Sequence, residues 1–106
     1  MHTWDHRSRS GELIGFEISN ALIDRRGVLH ALERVPGVTI TKAPKAWGWH
    51  DDDFIHFTLN GHRFEVIEMF GDDRRYWFAP VELGYASDVE AVRKAFAEMH
   101  FGGYTF

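Results

Sequence analysis

The sequence predicts an α+β domain: a mostly antiparallel sheet of four to five strands, order β-α-β-β-β-β-α, with two helices packed on one face. Three observations predict it. Asn60-Gly61 lies between two apolar runs, and a type I′ hairpin turn requires positive φ at both central positions. Apolar residues alternate with polar ones in several short runs, the period of a half-buried strand. Residues 87 to 100 carry an apolar stripe at helical spacing, with Val89, Val92, Phe96 and Met99 on one side.

Taken in order, residues 1–11 are polar and end in Ser10-Gly11, so they read as a flexible tail that Trp4 anchors, and residues 12–106 read as one domain. Ile14, Phe16 and Ile18 alternate with Gly15, Glu17 and Ser19 and predict a strand. Asn20 or Asp24 can cap the helix that follows, whose stripe is Val28, Leu29 and Leu32, preceded by Leu22. Pro36-Gly37 stops it. The same stripe also fits one long helix from Ile14 to Arg34. Val38 and Ile40 open a second strand. A loop covers residues 44–53, then Phe54–Leu59 and His62–Phe70 form the hairpin, and Arg75–Pro80 another strand. Ser87 with Glu90 has the spacing of a capping box for the last helix. Residues 104–106 could add a short strand.

The chain has 106 residues and no cysteine, which excludes disulfides, thiolate zinc sites and cysteine nucleophiles. No apolar run approaches the roughly 20 residues of a membrane helix, and the start lacks the apolar segment of a secretory signal. The expectation is a cytoplasmic protein that does not act on membranes. Net charge is −4, and the charge is localised. Residues 51–73 hold seven acids against Arg63 alone, a balance of −6, while the rest holds nine acids and eleven bases, +2. A nucleic-acid binder needs a basic face for phosphate, so nucleic acid is not expected as a partner. A basic protein is.

A two-residue turn fixes the hairpin register. Leu59 then pairs with His62. One face carries Ile55, Phe57, Leu59, His62, Phe64 and Val66 and must meet the helices. The other carries His56 opposite Glu65, Thr58 opposite Arg63, and Phe54 opposite Ile67. Asp51, Asp52 and Asp53 are brought beside the Gly71-Asp72-Asp73 turn, so five aspartates gather at one end of the sheet. Crowded carboxylates repel one another and raise each other's pKa, and a basic partner, a cation, or Arg74 and Arg75 would offset this. Trp47 and Trp49 flank Gly48 and supply apolar anchors together with Tyr76. The expected partner-binding set is therefore Asp51, Asp52, Asp53, Asp72, Asp73, Trp47, Trp49 and Tyr76. An alternative pocket lies around Phe54, His56, Glu65 and Ile67, where His56 and Glu65 have the chemistry of a base and its orienting carboxylate. No zinc-protease, serine-hydrolase or phosphate-loop motif is present. No metal, cofactor or catalytic residue is expected.

Residues 18–40, ISNALIDRRGVLHALERVPGVTI, resemble the βαβ opening of ACT domains, in which a strand is followed by a helix start like Asp24-Arg25-Arg26-Gly27-Val28-Leu29. The resemblance spans about a fifth of the chain. It implies amino-acid sensing by a dimeric sheet, although the strand from His62 stands where the family's second helix begins. Two functional expectations follow. The first is a non-catalytic, acidic protein-binding domain, an immunity or antitoxin-like inhibitor of a basic partner such as a nuclease toxin. The alternative is a ferredoxin-like dimeric domain, ACT-like or similar, that binds or converts a small molecule on the sheet face around His56 and Glu65.

Overall fold

The computed structural model describes residues 1–44, 53–68 and 74–99, with the side chain of Asp53 excepted. In chain order the elements are β1 (Trp4–Arg7), β2 (Leu13–Ser19), α1 (Arg25–Glu33), β3 (Val38–Lys42), β4 (Asp53–Leu59), β5 (His62–Ile67), β6 (Arg75–Pro80) and α2 (Ala86–Ala97). The six strands form one antiparallel sheet in the order β1-β2-β6-β5-β4-β3. α1 carries the chain from β2 to the far edge, and the β3–β6 meander brings it back beside β2. The α+β class and the antiparallel sheet are as expected, but the sheet has six strands where four to five were expected. The extra strand is β1, inside the stretch read as a tail. It has no aliphatic residue, and long-range contacts hold it. Arg93 of α2 donates to the Asp5 carboxylate at 2.9 Å, and the Thr3 hydroxyl donates to it at 2.7 Å. Burial opposes ionisation of Asp5, but these two hydrogen bonds and the nearby Arg93 charge outweigh it and lower its pKa.

The first of the two readings of residues 12–34 is the observed one, a strand and then a helix. Asp24 caps α1, its side chain accepting from the Gly27 backbone N–H at 2.8 Å. Gly27 has a packing reason to lie inside this helix: a Cβ there would sit 2.6 Å from Cγ1 of Ile23. Val28, Ala31 and Leu32 are buried, whereas Leu22 is 54% exposed and lies outside the stripe. In α2 the stripe of Val89, Val92 and Phe96 is buried as expected. Its start differs. The helix begins at Ala86, so Ser87 falls within the first turn and does not cap it. The N-cap is Tyr85, which makes no side-chain capping bond.

The Asn60-Gly61 turn has φ of 53° and 79°, the positive pair that a type I′ turn needs. Leu59 pairs with His62, and the register holds through Ile55 opposite Val66. It then shifts. Between Asp53 and Ile55 the ladder is irregular, so Asp53, not Phe54, stands opposite Ile67. Phe54 turns into the core beside Tyr76, ring centroids 5.3 Å apart.

The core lies between the helices and one face of the sheet. Phe16, Phe57, Phe64 and Phe78 of the strands meet Val28 and Leu32 of α1 and Val89, Val92 and Phe96 of α2. Phe16 and Phe78 stack at 4.7 Å, and Phe96 packs on Phe78 at 4.8 Å. Among the described residues, no helix is long and apolar enough to cross a membrane.

Candidate functional site

Both helices occupy one face, and among the described residues no element covers the other. The register lays side chains across this open face in rows. One row runs Trp4, Glu17, Trp77 and Ile67, each residue paired with the next, and the backbone of Asp53 stands opposite Ile67. One step nearer the hairpin, Ala79 stands opposite Glu65 and Glu65 opposite His56, with Lys42 beyond.

The Trp77 indole lies over Gly15. A Cβ at Gly15 would be 3.1 Å from Cζ2 of that ring and 2.9 Å from the Phe78 carbonyl oxygen, so the missing side chain makes room for the ring. The His6 ring meets Trp77 edge-on at 4.4 Å, and its Nε2 lies 2.8 Å from Oε2 of Glu17. Arg75 reaches the same carboxylate oxygen at 3.5 Å and spreads its guanidinium over the Trp4 ring at 3.6 Å. Two tryptophans, a histidine and an Arg–Glu pair thus form one layer over β1, β2 and β6. Trp4, Trp77 and Ile67 remain partly exposed.

The expected partner-binding residues fall into three groups. Asp51, Asp52, Asp72, Asp73, Trp47 and Trp49 lie outside the described residues. Asp53 is placed by its backbone at the end of β4, opposite Ile67. Tyr76 is a correction: it is only 3% exposed, its hydroxyl donates to the Ile23 carbonyl at 2.9 Å, and it offers no anchor at the surface. Burial, helped by the negative charges of Glu68 and Asp24, pushes its pKa well above the ordinary phenol range. Alternation along β6 turns Tyr76 to the core and Trp77 to the open face.

The alternative pocket does not assemble from its four residues. His56, Glu65 and Ile67 are on the open face, with His56 Nε2 3.9 Å from Glu65 Oε2. Phe54 is 2% exposed on the helix side, under the Arg25 guanidinium at 4.4 Å. The bulge in β4 is the cause. Glu68, at the acidic end, accepts from Arg25 Nε at 2.8 Å and from the Asn20 amide at 2.8 Å. Among the described residues, no three His, Asp or Glu side chains gather as metal ligands.

A further polar group was missed. Asp88, the one buried charged residue among those described, accepts from Asn60 at 2.7 Å and lies 2.6 Å from Nδ1 of His62. Burial alone would raise its pKa, but the His62 and Asn60 hydrogen bonds and the His62 charge hold it below the ordinary carboxylate value. The signal was present: His62 was assigned to a face that meets helices, and a histidine there needs a polar partner. Asp88 lies in the first turn of the helix that packs on that face.

The fold and open face define the class: an α+β domain with a two-helix layer on one side of a six-stranded antiparallel sheet. The chain matches no protein-family model, no curated protein and no solved structure.

Proposed function

We propose that the chain is a protein-binding domain that takes a partner with a basic surface, in the manner of an immunity or antitoxin-like inhibitor of a nuclease toxin. The observation that carries this reading is the pairing of Asp53 with Ile67. It makes the chain enter β4 and leave β5 at the same end of the sheet. The acidic runs 51–53 and 72–73 are therefore joined covalently to the body next to each other, and the Trp4–Trp77–Ile67 row begins at that end. An acidic segment attached beside partly exposed aromatic side chains suits a basic partner. Long-range attraction speeds encounter and orients it, and tryptophan supplies anchors of the kind enriched at binding hot spots. The −6 balance of residues 51–73 supplies the field.

The test is affinity capture from the source cell's lysate at low and high salt, followed by titration of the recovered protein against variants. A basic protein is expected, bound less tightly by the Asp51→Asn, Asp52→Asn, Asp72→Asn, Asp73→Asn quadruple variant and by Trp77→Ala. Recovery of only neutral or acidic partners, with binding indifferent to salt, would overturn the reading.

A further inference from the structure

β1 stands at one end of the sheet and pairs with β2 alone. Each of the other strands sets apolar side chains against the core, through Phe16, Val38, Phe57, Phe64 and Phe78 in turn, and β1 sets none. No residue before Leu13 is buried, and Met1 reaches only the margin of the core. Apart from its ladder to β2, polar and aromatic contacts hold this segment. Arg93 of α2 donates to Asp5 at 2.9 Å, His6 Nε2 lies 2.8 Å from Glu17, and the Met1 amino group donates to the Ala97 carbonyl at 2.8 Å. Arg75 covers the Trp4 ring, and His6 meets Trp77 edge-on. The Asp5 and Arg93 side chains are 23% and 27% exposed, so water and salt reach their contact. The connection to β2 is closed by its own bonds, Ser8 N–H to the Glu12 carbonyl at 2.8 Å and Gly11 N–H to the Ser8 carbonyl at 2.9 Å. A segment with few buried apolar contacts and solvent-accessible polar ties opens locally, at a lower free energy than the whole fold.

We propose that β1 is a latch that opens as a unit while the other five strands stay paired. Closed, it supplies Trp4 and holds His6 against Trp77. Open, it takes both side chains out of the layer on the open face. It also leaves β2, whose only charged residue is Glu17, at the end of the sheet with unpaired backbone groups. The latch is a property of this chain alone, and its bearing on partner binding rests on the function proposed above.

Alternate amides of β2 supply the test. The Asn20 N–H bonds the Arg74 carbonyl on the β6 side. Amide directions alternate along a strand, so Phe16 and Ile18 bond β6, whereas Gly15 and Glu17 bond β1. The experiment is native-state amide hydrogen exchange of the full chain by NMR, at constant pH, in about 0.02 M and 0.5 M salt. After correction for intrinsic rates, Gly15 and Glu17, together with Trp4 and His6, should exchange at least about tenfold faster than Phe16 and Ile18. The higher salt, and Arg93→Ala at the lower salt, should each speed these four amides about two- to fivefold without changing Phe16 and Ile18. Equal exchange in the two sets, an equal rise in both, or indifference to salt would overturn the proposal.

Discussion

Nδ1 of His62 stands 2.6 Å from Oδ2 of Asp88, and this contact ties the first residue of β5 to the first turn of α2. The second oxygen of the same carboxylate takes the Asn60 amide at 2.7 Å. One buried side chain therefore secures both sides of the hairpin turn to the helix, and the turn, the register and the placement of α2 depend on one another.

Asp88→Ala should lower stability by about 1–3 kcal/mol, because two donors lose their buried acceptor. The pH dependence has a definite sign. The folded-state pKa of Asp88 is below its ordinary value of 3.8. Its contribution is therefore present above about pH 4 and is lost as pH falls through the lower folded-state value. Urea midpoints of the wild type between about pH 2 and 5 should decline more steeply than those of Asp88→Ala.

Gly27→Ala tests packing against propensity. Alanine in a helix interior is favoured by about 1 kcal/mol over glycine, but here its Cβ would meet Ile23 Cγ1 at 2.6 Å. Ile23 is 8% exposed and has little room to move. Overpacking costs about 1–3 kcal/mol, so a net loss is expected. In the Ile23→Ala background, where Cγ1 and Cδ1 of Ile23 are gone and Asp24 Oδ1 at 3.2 Å is the tight contact left, the same substitution should cost less. A double-mutant cycle from thermal melts measures both.

Gly15→Ala should disturb the open face and leave the core chemistry intact. The added methyl would press on the Phe78 carbonyl oxygen at 2.9 Å and on the Trp77 ring at 3.1 Å. A loss of about 1–3 kcal/mol is expected, with a change in the near-ultraviolet dichroism of the tryptophans as Trp77 leaves its position over β2. An unchanged tryptophan signal would contradict the layer described for Trp77 and His6.

Local chemistry was the legible part of this fold. Asn60-Gly61 specified its turn without help, and the Leu59–His62 pairing followed over most of the hairpin. Asp24 marked a helix start because its cap bond spans three residues. What depended on distant partners was not legible. Trp4–Arg7 has no aliphatic pattern, and its place in the sheet depends on Arg93 and Arg75, far along the chain. The β4 bulge that sends Phe54 inward leaves no mark in an alternation count. Tyr76 looked like a surface aromatic because tyrosine suits both settings, and only the Ile23 carbonyl beside it decides. Ser87 looked like a cap because of its spacing to Glu90, yet Glu90 pairs with Arg93 at 3.1 Å.

The central claim is that negative charge at the Asp53–Ile67 end captures a basic partner. The association rate of the recovered partner, measured by stopped-flow at about 0.02 M and 0.5 M salt, tests it most directly. The account predicts a rate that falls steeply with salt in the wild type, and a lower, nearly flat one after neutralising Asp51, Asp52, Asp72 and Asp73. Identical rates and salt slopes for the two proteins would contradict it.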